Sequence, residues 1–449
     1  MADVIGCTTA TATHLAGARV VAASWRHLHP GAPFRILLAD ADPDDRPVDD
    51  PSILVPEDLG LDRAEIRTRR VIYDPFEFAT SLKADFLRFL LREGAHAVVF
   101  TDSDTDLYAP LDALTKLAAD VGICLTSHVL RPLPADGRGL DDWALLKLGV
   151  YNTGLVAVGR SALPFLDWWA DRLRRDCLDA KHDGFWVEQR WVDLGPTYFS
   201  ARIVADPTLN VAFWNLHERQ IEAANGRFEV NGEPLRHFHF SNFDPEQPWA
   251  LCGNVPDLLG LPHRTTLADQ PALKGLFEDY AQRLLKAGHR RCRGRAYAYA
   301  AATTGRPLTR WDRLLLREVT LAHEAGAAPA PPDPFEAHQR QRFTRFTSTP
   351  ISSLPLSAPA RSRLTRAHVA LADRRPAGRR ERLVAAARRL VGQRLSIEQH
   401  GLVTPSAEVL AEYGYPPPTP RTTRPPSELG ATAGRSHERA ADAPIHRIQ

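Results

Sequence analysis

The sequence predicts an α/β protein with a mixed central sheet, a helical C-terminal region and a partly disordered basic tail. Three observations carry that expectation. Short apolar runs of strand length alternate with helical periodicity through residues 3–205, the pattern of βαβ units. Helical periodicity then dominates 271–325. Beyond 346 the chain is rich in Ser, Pro, Ala and Arg, which supply too little apolar surface for a packed core. Of 449 residues, 44% are hydrophobic and 24% charged, so the whole is neither disordered nor fibrous, and at about 150 residues per domain it holds two or three units. The expected division is 1–265 for the sheet domain, 266–345 for a helical extension and 346–449 for the tail, with a helix near 378–396.

Taken in order, DVIGC (3–7) reads as a strand, followed by a polar turn, an amphipathic helix over 13–28 and a second strand at 34–39. Over 76–93, Phe78, Leu82, Phe86 and Phe89 recur at spacings of 3 and 4 and predict one helix with an apolar face. AVVFT (97–101) is a continuous apolar run, suited to a central strand buried on both faces. Strands are expected at 121–125, 154–158 and 202–205, with a helix at 161–178 that turns Trp168 and Trp169 toward its core face. From Pro207 to Pro248 the chain is aromatic and His-rich, and NGEP (231–234) signals a hairpin before LRHFHF. AAPAPPDP (327–334) reads as a stiff connector, 378–396 as a basic amphipathic helix and 414–449 as disordered. No internal repeat is present.

Charge and composition narrow the function. Past residue 340 there are 18 Arg and no Lys against 8 Asp and Glu, a balance of +10, which leaves the preceding part at −8. An acidic body excludes a nucleic-acid-binding core, and the tail permits at most weak peripheral association with an anionic membrane. No run of 18 apolar residues occurs, and the N-terminus has no basic segment followed by an apolar one, so neither a transmembrane segment nor a secretion signal is expected. Five scattered cysteines without CxxC spacing argue against a disulfide frame or zinc knuckle and for a cytoplasmic location.

The chemistry centres on VVFTDSDTDLYAPLDAL, where the buried strand ends in Asp102, Asp104 and Asp106. Side chains alternate along an extended chain, so Asp102 and Asp104 lean the same way. Two carboxylates there form a hard oxygen donor set for Mn²⁺ or Mg²⁺, which leave positions open for phosphate. Strand C-termini are also where open α/β sheets bind ligands. A solvated acidic turn capping the next helix is the competing reading of an isolated DxD. Two other motifs fail on their letters. A haloacid-dehalogenase-type DxDx[TV] has Thr or Val where this chain has Asp106, and an EF-hand loop started at Asp102 would need Gly at Leu107 and Glu at Ala113.

The ordered blocks IGCTTATATHLAGARVVAAS, YDPFEFATSLKADFLRFLL, VVFTDSDTDLYAPL, GVYNTGLVAV, GFWVEQRWVDL, NVAFWNLHER and RHFHFSNFDP resemble nucleotide-sugar-dependent glycosyltransferases of the GT-A (Rossmann-like) fold. The resemblance is nearest to family 8, which holds glycogenin and bacterial lipopolysaccharide galactosyltransferases, and covers about 3–250. It implies a nucleotide-sugar donor, UDP-linked by expectation, a glycan or other hydroxyl acceptor, Mn²⁺ or Mg²⁺, and transfer with retention. Asp102 and Asp104 then ligate the metal with His239, for which His237 competes two residues away. Lys83 matches a cation near sugar or phosphate, and Asn152 of YNTG matches an Asn on sugar hydroxyls. Glu188 stands where the family has Asp on the donor sugar, and Gln189 stands beside the reacting carbon. In NVAFWNLHER, Asn210, Trp214, Asn215, His217 and Glu218 form a cluster suited to a sugar face.

Two departures limit the match. Thr8 and Thr9, with Ala10, replace acidic and Asn residues that touch the nucleoside. After the histidine, Asn242 and Asp244 appear with no following phosphate-binding lysine, leaving the metal and Lys83, aided by Arg190 or Arg236, to neutralise a diphosphate. If transfer instead inverts, Glu188 or Asp193 must act as base. Two other classes compete: a sugar-phosphate nucleotidyltransferase, whose Gly-rich triphosphate loop IGCTTATATHLAG does not resemble, and a non-catalytic degenerate transferase scaffold.

Overall fold

The computed structural model describes residues 4–41, 50–224, 226–252, 263–349, 351–354 and 356–373, and the backbone of 395–397 and 403–405. β1 (Val4–Ala10) leads through a 3₁₀ turn (Ala12–His14) into α1 (Leu15–Leu28), which buries Leu15, Ala18, Val21, Ala22 and Trp25 along one stripe. β2 (Phe34–Leu38), β3 (Ile53–Leu54) and α2 (Arg63–Ile72) follow.

Where one helix is expected over 76–93, there are two, α3 (Pro75–Ser81) and α4 (Lys83–Arg92). Asp74 and Glu77 form a reciprocal cap at the start of α3, and the Leu82 N–H tightens back onto Ala79 O and Thr80 O. Arg69 of α2, buried, then donates to Ser81 O at 3.1 Å, satisfying a carbonyl freed by the break. The break starts a new helix at Lys83.

β4 (Ala97–Thr101), β5 (Thr105–Leu107), α5 (Asp112–Val121), β6 (Ile123–Ser127), α6 (Asp142–Leu148), β7 (Tyr151–Gly159) and α7 (Leu163–Leu173) come next. The strand expected at 121–125 starts later because α5 runs through Val121 and Gly122 turns the chain at φ +93°. Trp169 is fully buried and Trp168 partly so. β8 (Asp179–Ala180), β9 (Phe185–Trp186), α8 (Gln189–Val192), α9 (Gly195–Tyr198) and β10 (Ala201–Val204) lead to the antiparallel set β11 (Ile221–Ala224), β12 (Arg227–Val230) and β13 (Glu233–Pro234). Asn231 and Gly232 turn β12 into β13 with positive φ, the hairpin expected at NGEP. After β14 (His237–His239), the chain continues in α10 (Ala272–Lys286), α11 (His289–Arg293), α12 (Arg310–Glu324), α13 (Arg340–Ser348) and α14 (Ala358–Asp373).

The central sheet has seven strands in the order β10-β6-β7-β4-β1-β2-β3. β7 runs antiparallel to both β4 and β6 while the other pairs are parallel, so the expected α/β class with a mixed sheet is what the chain forms. Val98 and Phe100 of β4 enter one core and Ala97 and Val99 the other, which explains the strand's unbroken apolar run. Ordered packing continues past 346: Leu354, Leu356 and Leu364 bury against Leu315 and Val319 of α12. Met1–Arg375 is one compact unit and Pro376–Gln449 a second. In the second, β15 (Leu395–Ile397) pairs antiparallel with β16 (Val403–Pro405). The end of the helix expected at 378–396 is therefore strand, since ladder pairing satisfies its backbone; the rest of that helix and 414–449 lie outside the described residues. No helix among the described residues is long and apolar enough to cross a membrane.

Glu65 of α2 ties the helices together, accepting from Arg69, Arg174 and Arg175 at 2.8–3.2 Å, while Arg175 also bonds Glu324 of α12. Burial opposes its ionisation, but Arg175, Arg69 and Arg174 outweigh it and hold the carboxyl at about 2, against an ordinary 4.5. A depressed carboxyl stabilises the fold above its unfolded pKa, and that stabilisation is lost as pH falls from about 4.5 toward 2. Glu65→Gln is expected to cost on the order of 2 kcal/mol at pH 7 and progressively less toward pH 3. Urea denaturation of both proteins at several pH values measures it; a difference independent of pH would refute the account.

Candidate functional site

β4 ends at Thr101, and the next backbone N–H, of Asp102, still donates across to Gly154 O of β7 at 3.0 Å. The chain turns at Ser103 and enters β5, whose antiparallel ladder with β14 sets Thr105 opposite His239 and Leu107 opposite His237. Phe240 N–H closes onto Asp104 O at 2.8 Å. This ladder carries the histidine to the DxD turn.

One oxygen from each of Asp102 and Asp104 and a ring nitrogen of His239 lie within 4.8 Å of one another. His239 Nε2 is 3.2 Å from Asp104 Oδ1 and 3.9 Å from Asp102 Oδ2. Both aspartates are partly exposed while the imidazole is buried, so the group opens to solvent on its carboxylate side. Two glycines permit this closeness. A Cβ on Gly154 would stand 2.5 Å from His239 Cε1, and one on Gly17 would stand 2.1 Å from Ser103 O, where α1 abuts the turn.

His237, the competing histidine, bonds Thr101 Oγ1 through Nε2 at 2.8 Å, and burial drives its pKa down to about 3. Asp106 turns inward to an ion pair with Arg283 of α10, and burial raises its carboxyl to about 6. Neither joins the group. Burial raises the pKa of Asp102, with Asp104 and Glu188 adding to the rise against Lys83 and His239. Burial acts the same way on Asp104, but the His239 imidazole overrides it and holds Asp104 low. Conversely, His239 is depressed by burial yet held above its ordinary value by Asp104. Crowded carboxylates short of positive charge, with one nitrogen donor, fit a hard divalent cation such as Mn²⁺ or Mg²⁺.

Lys83 begins α4 and is buried. Its Nζ donates to Glu188 Oε1 at 2.7 Å, Thr153 O at 3.1 Å and Asp102 Oδ1 at 3.2 Å, so all three ammonium protons are used. Thr153 Oγ1 also donates to Glu188 Oε1 at 2.7 Å, while Glu188 Oε2 is buried without a partner. Gln189 Oε1 accepts from Asn152 Nδ2 and Thr153 N at 3.2 Å, and its Nε2 donates to Leu148 O at 2.9 Å. Asn152 Oδ1 accepts from Gly154 N and from Asn210 Nδ2. Trp214 sets its ring edge-on to His239 and to His128.

The remaining expected residues lie farther back. Asn215 is spent on the backbone at Ala212, His128 and Asn210, organising the loop. His217 neighbours Glu218 and Arg264, with neither ring nitrogen bonded. Thr8 and Thr9 end β1, beside β4, and both hydroxyls are buried without partners. Arg190 pairs with Asp193, and Arg236 with Thr208 and Asp206. Sequence reasoning missed His128, which follows β6, contacts Asn152 at 3.2 Å and is driven by burial to about 4. Its signal was a polar residue directly after an apolar strand. A groove of about 380 Å³ formed by Pro248, Trp249, Leu267, Pro271 and Lys274 contains none of these side chains.

No family model matches the chain. It is similar to two uncharacterised proteins of Bacillus subtilis (strain 168): YfnF, at 23% identity over 46% of this chain and 67% of that protein, and YfnD, at 27% over 39% and 57%. The match thus spans little more than half of YfnD and about two thirds of YfnF. Among solved structures it resembles the galactosyltransferase LgtC bound to donor and acceptor sugar analogues, at 14% identity, covering 62% of this chain and 95% of that one with a TM-score of 0.36.

If Gly154 acts by making room for the imidazole, Gly154→Ala weakens Mn²⁺ binding about tenfold or more, roughly 1.4 kcal/mol. The double variant with His239→Ala then binds no worse than His239→Ala alone. Calorimetric Mn²⁺ titration measures both, and additive losses would show that Gly154 acts elsewhere.

Proposed function

We propose that this protein is a metal-dependent glycosyltransferase that moves a sugar from a nucleotide-sugar donor, UDP-linked in our reading, to an acceptor hydroxyl with retention of configuration. The observation that carries the proposal is the convergence of Asp102, Asp104 and His239 at the C-terminal end of β4, beside the fixed pair Glu188 and Gln189. A divalent ion held by those three side chains would offset the charge gathering on a departing nucleoside diphosphate, a contribution of roughly several kcal/mol.

The chain's own residues supply position. Lys83 pins one oxygen each of Asp102 and Glu188. The unpartnered Glu188 Oε2 is then a buried acceptor waiting for a sugar hydroxyl. Gln189, locked by Asn152, Thr153 and Leu148, extends the same polar wall. A carboxylate already bonded to an ammonium and a hydroxyl is a weak base, which favours retention, with the leaving phosphate taking the acceptor's proton.

Purified protein given UDP-glucose, UDP-galactose or UDP-N-acetylglucosamine with Mn²⁺ is expected to release UDP slowly by hydrolysis, and EDTA to stop it. Asp102→Asn and Asp104→Asn should each lower the rate about 100-fold or more, near 2.7 kcal/mol. Unchanged release in both variants, or no metal-dependent binding of any nucleoside diphosphate, would sink the assignment.

A further inference from the structure

We propose that the phosphates of a nucleoside diphosphate are held, at the rim of the DxD turn, by the guanidinium groups of Arg290 and Arg293, with the imidazoles of His14 and His289 beside them. This rests on the reading of the site given above and adds the residues that receive the diphosphate. The need is electrostatic. Asp102, Asp104 and Glu188 outnumber Lys83, whose protons are all used, and Arg190 and Arg236 are paired elsewhere. A bound divalent ion would neutralise that excess of carboxylate, leaving the diphosphate's own charge to be met by other groups.

The fold brings such groups to the open side of the DxD turn. α11 packs on the 3₁₀ turn Ala12–His14 and on α1, whose Gly17 abuts Ser103. His14 is exposed, and its Nδ1 lies 2.8 and 3.0 Å from the hydroxyls of Thr11 and Thr13. From the other side, the chain leaves His239, bonds Asp104 O through Phe240 N–H, and turns at Phe243, whose ring packs on Phe277 and Tyr280. Asp244 and Glu246 follow at once and hold Arg293 at 3.3 Å and Arg290 at 2.7 Å. Both arginines are well exposed, at 62% and 75% of the side chain, and free to exchange a carboxylate for a phosphate. His289 Nε2 is buried without a partner, as are the hydroxyls of Thr8 and Thr9 at the adjoining end of β1. Two exposed guanidinium groups on one rim, each held only by a surface carboxylate, match the oxygens of a diphosphate.

The test is calorimetric titration of the full chain with UDP, with GDP and with UMP, each with Mn²⁺, for the wild type, Arg290→Ala/Arg293→Ala and Arg290→Lys/Arg293→Lys. The alanine pair is expected to bind the diphosphate at least tenfold more weakly with UMP affinity changed less than threefold, while the lysine pair recovers most of the loss. Asp244→Asn/Glu246→Gln, which removes the competing carboxylates, should tighten diphosphate binding severalfold. Diphosphate affinity within twofold of wild type in the alanine pair, or equal losses for UDP and UMP, overturns the proposal. Absence of binding by the wild type to both diphosphates would instead defeat the transferase reading on which it rests.

Discussion

The site depends on one buried ammonium. Lys83 joins the first turn of α4 to the end of β4 through Asp102, to β7 through Thr153 and to the start of α8 through Glu188. A lysine so enclosed is tolerable only when every proton is bonded, and removing it would leave two carboxylates uncompensated, a loss of about 3–5 kcal/mol for a buried pair. The break at Leu82 is what allows it. Uninterrupted helix through 76–93 would set residue 83 at a different angle, whereas the capped end of α3, closed by Arg69 on Ser81 O, restarts the chain with Lys83 facing the sheet. Arg69 also pairs with Asp85 and Glu65, so ion pairs fasten α2 to the first turn of α4, where Lys83 starts.

A second constraint is the short ladder between β5 and β14. Its three register pairs carry few hydrogen bonds, and its stability comes from the aromatic stack behind it. Phe238 and Phe240 pack on Phe277, and Phe240 lies flat on Tyr280 at 3.8 Å. Arg283, one turn further along α10, takes Asp106 from the inner side of β5. The helical extension thus holds His239 in place by packing on the strand that bears it.

Much of this was legible because it obeys simple periods. The strands announced themselves as apolar runs, whereas Asp102 and Asp104 come together across the turn at Ser103 and not through strand alternation. Asp106 lies past that turn in β5 and goes to Arg283. His237 and His239 share a face in any extended chain; only pairing with Thr105 and Leu107, set far away in sequence, tells them apart. Helix periodicity could not reveal the break at Leu82, because both helices keep the same apolar stripe across it. Composition alone described 346–449 as tail, while a few leucines spaced along 354–364 suffice to dock α14 on α12. His128 and α11 escaped notice for the same reason: their relevance arises from what the fold lays beside them.

Charge is distributed over the site in a way that separates two tasks. Deep in the fold, Lys83 is fixed, desolvated and fully bonded, so it orients carboxylates and has no proton left for a ligand. At the rim, Arg290 and Arg293 sit in solvent against Glu246 and Asp244. Exposed pairs of this kind add little to stability, so a ligand bearing several negative charges can take over the guanidinium groups at little cost. Asp102 and Asp104 meanwhile keep 32% and 40% of their side chains exposed. A rigid cation inside and exchangeable cations outside therefore leave the aspartates accessible, a condition for any chemistry that uses a metal and a diphosphate together.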